Sequence, residues 1–487
     1  MTNYDDRPAI LGKCRATILS LRPIVALAMA VDLADGVSKR GSSAVNAPRR
    51  HGSNVTFAFA MAILLVVVGV SAARGAAIPV QLVKTGTGFQ LLRGGKPYFI
   101  KGAGGEGPLR LLKQCGGNSL RTWGADPSEV RMDEVQAQGL TVTIGIWLGH
   151  KEQGFNYNDP EQVKKQYDHA RSVVLQYRDA APLLVWGLGN EMEGFDTGDD
   201  PAVWKAVEDI AKMVKELDPN HPTMTVIAEV KPSKIQALNQ YCPDIDIIGI
   251  NSCAGCPTIP QRYKDAGGVK PYIVTEFSQR GQWEVQKAPW GAPMEITSTE
   301  KADYYRKAYM GAIANQPMCL GGYAFHWGIK REVSATWYSM LLPNGDKTGV
   351  IDTMIEMWTG NAPKIKAPTI QPLTIDGAVG NTPPTFAPGS SVSVRLAATD
   401  PQNDPLTVDW EMEHDPAAYS KAGAPEETPQ QFPSAIVHGD LNGATITMPD
   451  VPGGYRLYAY VTNRHHEVAT ANIVLGVTKA AVEGGVN

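Results

Sequence analysis

From Tyr98 to Trp358 the chain alternates short apolar runs with amphipathic stretches, eight of each. The runs are Tyr98–Gly102, Ser119–Trp123, Leu140–Trp147, Leu183–Leu188, Thr223–Ala228, Ile245–Asn251, Tyr272–Glu276 and Leu320–Trp327. Most lack the in–out alternation of a half-buried strand, which suits strands covered on both faces in a parallel sheet. Between them, helices are predicted with Pro at or near the start of several, as at Pro127, Pro160, Pro201 and Pro232. In the helix from Pro201 to Leu217, Val203, Val207, Ile210, Ala211 and Val214 form one apolar stripe. Eight strand–helix units predict an α/β fold, a (β/α)8 TIM barrel. A doubly wound open sheet is the alternative, but Gly102–Gly107 lacks the spacing of its phosphate-binding loop, and no cofactor is expected.

Other segments frame this unit. Residues 1–46 read as a leader of uncertain status. Within 47–77, Arg49, Arg50 and His51 precede the apolar run Phe57–Val70, and Ser71, Ala72 and Ala73 follow it. Charge, a short apolar core and small residues predict a signal peptide, hence a secreted, periplasmic or cell-surface protein. The run is short for a membrane span, so membrane association is expected only if the 57–70 segment is uncleaved. The catalytic unit is placed at 78–362, opening on a hairpin of Val80–Val83 and Phe89–Leu92, with a Pro/Thr/Gly-rich linker at 363–388. Period-two strands over 389–479 predict a small immunoglobulin-like or PKD-like β-sandwich. There Asp400, Asn403 and Asp404 read as an Asx-rich turn in preference to a calcium site.

With 45 basic and 49 acidic residues, net charge −4 offers no electrostatic case for nucleic acid. Cys253-Ala254-Gly255-Cys256 has no second pair to complete a zinc site, and no metal is expected. A local disulfide or two buried thiols are the readings left open there.

Two runs end in carboxylates, Leu183–Leu188 followed by Gly189-Asn190-Glu191, and Tyr272–Thr275 followed by Glu276. Catalytic groups of such barrels gather at the C-terminal ends of strands. Two carboxyls from strands four and seven supply the pair that glycoside hydrolysis requires, one protonated and one ionised. Trp186-Gly187-Leu188-Gly189-Asn190-Glu191 resembles the Asn-Glu motif ending strand four in clan A glycoside hydrolases, and Val274-Thr275-Glu276-Phe277 resembles their strand-seven motif. Gly94-Gly95-Lys96-Pro97-Tyr98-Phe99-Ile100-Lys101-Gly102 is similar to the entry of the family 2 catalytic barrel, with family 5 a near relative. The resemblance covers about Ile78 to Gly360.

It implies a retaining mechanism with Glu191 as acid/base, Glu276 as nucleophile and Asn190 on the sugar 2-hydroxyl. By the same match Arg121 bonds the nucleophile and Trp327 is the aromatic platform. Trp147, His150 and Asn251 are candidate cleft residues, and Glu193 is expected to be solvated or cleft-lining. The larger family 2 enzymes carry β-sandwich domains before the barrel where this chain has a hairpin, so β-galactosidase or β-glucuronidase is not assigned. The expected function is an exported β-glycosidase acting on a β-linked polysaccharide or oligosaccharide, β-glucan first. Alternatives are a transglycosylase (β-glucanosyltransferase) using the same site and a non-catalytic carbohydrate-binding barrel.

Overall fold

The computed structural model describes residues 76–194, 197–375, 383–415 and 426–478. The leader at 1–46, the apolar segment at 57–70, Cys14 and residues 376–382 of the linker lie outside them. Eight parallel strands close into a barrel: β4 (Ile100–Gly104), β5 (Ser119–Arg121), β6 (Thr141–Ile146), β7 (Leu183–Leu188), β8 (Thr223–Ala228), β9 (Ile247–Ser252), β10 (Tyr272–Phe277) and β11 (Cys319–Phe325). Neighbours pair in sequence order, and β11 returns to β4. The residues of β6, β7 and β9 are buried throughout, which is why they read as unbroken apolar runs.

The entry segment is a three-stranded sheet of β1 (Val80–Lys84), β2 (Phe89–Arg93) and β3 (Lys96–Tyr98). It covers the N-terminal end of the barrel, where Val80 and Leu91 pack with Leu184, Met224, Ile273 and Tyr323. Outside the barrel run α1 (Leu109–Gln114), α2 (Pro127–Val130), α3 (Met132–Ala137), α4 (Pro160–Tyr177), α5 (Pro201–Leu217), α6 (Pro232–Tyr241), α7 (Ile259–Asp265), α8 (Ser298–Ala308) and, after β12 (Lys347–Thr348), α9 (Gly349–Thr359).

Two helices depart from expectation. The single helix predicted over Pro127–Gln138 is broken at Arg131, whose φ is +46°. Its guanidinium is drawn across to the carbonyls of Gly105, Glu106 and Gly107 in the loop after β4, and those bonds accompany the break. The helix that the sequence places over Thr299–Asn315, with Thr299 as its cap, is instead capped by Thr297, which with Glu300 forms a capping box.

The sandwich has β14 (Thr374–Ile375), β16 (Ser391–Arg395), β20 (Gly443–Thr447) and β19 (Ile436–Asp440) in one sheet. The other holds β18 (Leu406–Asp415), β21 (Gly453–Asn463) and β22 (Glu467–Val477), with β15 (Thr385–Phe386) on β22. A further pair joins β13 (Thr369–Ile370) to β17 (Ala398–Thr399). Thus β13, β14 and β15, all read as linker, take part in sheets. The Tyr455 hydroxyl donates to the Val451 carbonyl at 2.6 Å, fastening the strand's entry as a tyrosine corner does. Asp400 accepts from the amides of Gln402 and Asp404, so the Asx-rich turn is closed by its own backbone.

Strand β12 from the barrel pairs in parallel with β22. The sandwich sheet therefore continues into the segment after barrel strand eight. The five described cysteines are free thiols, Cys253 and Cys256 included.

Candidate active site

Strand β7 ends at Leu188, and the chain turns sharply through Gly189 (φ +73°) and Glu191 (φ +52°). A Cβ at Gly189 would lie 2.3 Å from the Met192 sulfur, so the turn needs glycine there. The Glu191 amide donates to the Val226 carbonyl at 2.9 Å and holds this left-handed geometry. For a non-glycine residue that conformation is unfavourable and is kept by its surroundings.

At β10 the pairing with β9 slips between Val274 and Glu276, which sets Glu276 opposite Asn251. The irregularity re-aims the strand end, as bulges beside active sites do. Arg121, at the end of β5, joins the two carboxylate-bearing strands. One guanidinium nitrogen donates to Glu276 Oε1 at 2.7 Å and to the Thr275 carbonyl at 3.1 Å, and the other donates to Asn190 Oδ1 at 2.7 Å. Arg121 is 3% exposed, so its charge is set among partners rather than in bulk water.

Asn251 orders the other side. The Thr275 hydroxyl donates to Asn251 Oδ1 at 2.7 Å, leaving Asn251 Nδ2 to donate to Glu191 Oε1 at 2.8 Å and Asn190 Oδ1 at 3.1 Å. With its oxygen held by Arg121 and Asn251, Asn190 keeps its amide N–H group for a ligand hydroxyl. The five residues Arg121, Asn190, Glu191, Asn251 and Glu276 form one connected network.

The two glutamates differ in surroundings. Burial pushes the Glu191 carboxyl up to about 7, and the charge of Glu276 adds to it, against the Asn251 hydrogen bond and Arg121. Glu276 instead receives Arg121 and, on the same oxygen, the indole N–H of Trp123 at 2.7 Å. One carboxyl is thus pushed toward its protonated form while the other takes a guanidinium and an indole N–H on one oxygen, an asymmetry of the kind that acid-assisted displacement at a sugar carbon requires.

Trp123, the last residue of the second apolar run, carries no site role in the sequence reading. It lies two positions after Arg121, so a period-two continuation of strand two was the available signal. The guanidinium of Arg121 lies 5.0 Å from its ring centroid, and His326 stacks on it at 5.9 Å with an interplanar angle of 14°. His326 also pairs with Glu106 at 3.2 Å.

Trp327 is a correction. Its side chain is fully buried, its N–H donates to the Pro108 carbonyl at 3.2 Å, and its ring packs beside Gly107 and Trp358. Strand β11 ends at Phe325, and the following turn carries Trp327 behind the loop after β4, where it offers no platform. Glu193, expected to be solvated or cleft-lining, is not solvated but lines a hollow with Lys151, Trp204 and Lys231. It is 5% exposed, pairs with Lys234 at 2.6 Å and accepts from the Ala228 amide. Trp147 and His150 meet after β6 as a stacked pair with centroids 5.0 Å apart. Trp147 is 42% exposed, and the imidazole is bonded to the Asn190 main chain. Trp283 is also exposed, whereas Trp337 is buried.

No family model matches this chain, and no curated protein matches it. Solved structures do. A glycosyl hydrolase family 2 member from Bacteroides cellulosilyticus DSM 14838 aligns with a TM-score of 0.43 and 16% identity over 81% of this chain and 48% of its own. The β-glucuronidase of Bifidobacterium dentium, complexed with coumarin-3-O-glucuronide, gives 0.45 and 16% over 58% and 49%. The β-D-glucuronidase of Dictyoglomus thermophilum gives 0.45 and 16% over 58% and 54%. The chain spans about half the length of these proteins. At these scores the chemistry rests on the side chains themselves.

Proposed function

We propose that the protein is a retaining β-glycosidase, with Glu191 as acid/base and Glu276 as nucleophile. The observation that carries the reading is the unequal treatment of two neighbouring carboxyls, Glu191 raised to about 7 and Glu276 bonded by Arg121 and Trp123. In the first step the Glu191 proton goes to the glycosidic oxygen, that oxygen's bond to the anomeric carbon breaks, and Glu276 forms an ester there. In the second, Glu191, now a carboxylate, takes a proton from water as it attacks the same carbon and releases Glu276. Asn190 presents its N–H to the sugar 2-hydroxyl, and Asn251 and Arg121 hold it in place. No cofactor enters these steps.

A β-linked glucan chain is the substrate proposed first. Trp147 and Trp283, both exposed in loops on the strand-end face, offer ring faces of the kind on which pyranose units stack. Export through the segment at 57–70 belongs to the same proposal, and N-terminal sequencing of the mature protein checks it. The test of function is a panel of aryl β-glycosides and β-glucans given to wild type, Glu191→Gln and Glu276→Gln. Wild-type turnover lost in both variants is expected, with longer oligosaccharides among the products if the intermediate passes to a second sugar. Binding of glucan without turnover of any member of the panel would make the barrel a carbohydrate-binding scaffold.

A further inference from the structure

The sandwich meets the barrel at the loops after strands seven and eight, residues 278–297 and 326–346, through a buried polar cluster the chemistry does not use. At its centre is Glu295, its side chain 1% exposed. Oε1 accepts from Lys301 and from the Thr336 hydroxyl at 2.8 Å. Oε2 accepts from the Ser334 hydroxyl at 2.5 Å and from Asn472 Nδ2, on β22, at 2.6 Å. Arg456 of β21 lies 3.9 Å from that oxygen. Arg456 also bonds Asp415 at 2.7 Å, Asn472 at 2.8 Å and the Pro293 carbonyl at 2.9 Å. Two acids and two bases balance in charge, so the cluster is neutral while satisfied. At the rim Arg331 grips Glu413 of β18 with two bonds, at 3.1 and 3.2 Å, and the Val333 amide donates to Glu426 at 2.8 Å.

These ties reach the catalytic pair. Between the two loops, Gln279 donates to the Trp337 carbonyl, the Trp337 indole to the Arg280 carbonyl and the Tyr338 hydroxyl to Gln282. The Tyr338 carbonyl accepts from the His326 amide, and His326 stacks on Trp123, the partner of Glu276. Glu332 and Tyr338 both lie within electrostatic reach of Glu276.

We propose that Glu295, with Arg331 as its rim counterpart, is a positioning residue of the active site, and that the sandwich is the brace for the cleft wall beside Glu276. This deepens the glycosidase reading and rests on it. A binding module on a tether would touch the barrel through few bonds. Here a neutral buried cluster and a two-pronged ion pair fall on the two loops that flank the nucleophile, and strand pairing holds β12 directly after the second.

The test uses the full chain with Glu295→Gln, Arg331→Met and, as a control for stability alone, Arg306→Met, which breaks the Arg306–Glu356 pair between α8 and α9. Melting, kcat and KM on aryl glycosides and β-glucans, and hydrogen exchange over residues 279–285 and 330–339 are measured. Expected for Glu295→Gln and Arg331→Met is a fall in kcat/KM of about fivefold or more well below the melting temperature, with faster exchange in both loops. Arg306→Met keeps its kinetic constants. Arg331→Met decides the matter if Glu295→Gln does not fold. Melting points that fall while kinetic constants stay within about twofold of wild type and the loops keep their protection would overturn the proposal. Should wild type turn over no glycoside, the glycosidase reading fails by itself. Exchange then decides the brace: unchanged loops reject it, and loosened loops retain it.

Discussion

Glu191 and Glu276 are the same residue type in different environments, and each difference has a measurable consequence. As general acid Glu191 must carry its proton, so the rate should fall as pH rises through about 7. Removing that acid in Glu191→Gln should lower kcat about 10²–10⁴-fold on substrates with poor leaving groups. Stability should change with pH in the same direction as the rate. A carboxyl raised above its ordinary 4.5 contributes most to the folded state below that pH, and the contribution is lost as pH rises through about 7. Glu191→Gln escapes that loss. Its melting temperature relative to wild type should therefore climb between pH 4.5 and 8, by about 1 °C for each kcal/mol relieved in a unit of this size, as calorimetry across that range would show.

Trp123→Phe keeps the ring against His326 and deletes one donor to Glu276. A hydrogen bond to a charged group is worth about 1.5–3 kcal/mol, so kcat/KM should fall at least about tenfold with little change in melting. The strand-end positions of Glu191 and Glu276 were legible from the apolar pattern, whereas Asn190 and Arg121 were named through the family resemblance. The place of Trp327 was not legible, because the chain leaves the strand at Phe325 and the turn beyond it decides where an aromatic points.

Among the elements, the segment after β7 carries the heaviest constraint. From Gly189 to Gly194 it holds three left-handed residues, and it places Glu193 in a buried pair with Lys234 of α6. Lys234→Met leaves that carboxylate without its cation, and a loss of about 3 kcal/mol is expected in denaturant melts. The sequence marked Glu193 only as a second acid beside the first. Its partner lies on another helix, and pairing at that range leaves no periodic trace. Arg131 teaches the same lesson, since the carbonyls its guanidinium bonds at the break between α2 and α3 belong to the loop after β4.

On the scale of the whole molecule, the sandwich was legible as a fold but not as a neighbour. Alternating strands announce a two-faced sheet, whereas Glu295, Asp415, Arg456 and Asn472 stand far apart in the chain and look like ordinary polar residues. With β12 paired to β22 and the charged cluster buried, barrel and sandwich should melt in one transition with equal calorimetric and van't Hoff enthalpies. Two separated transitions would show that the contact is weaker than its geometry.

The central claim is that Glu276 becomes covalently bonded to the sugar. The most direct measurement is peptide mass spectrometry after incubation with the 2-deoxy-2-fluoro analogue of whichever aryl β-glycoside wild type turns over. A single adduct on the peptide bearing Glu276, absent from Glu276→Gln, is the predicted result. Continued turnover of the parent glycoside with no adduct, or an adduct on Glu191, would contradict the account.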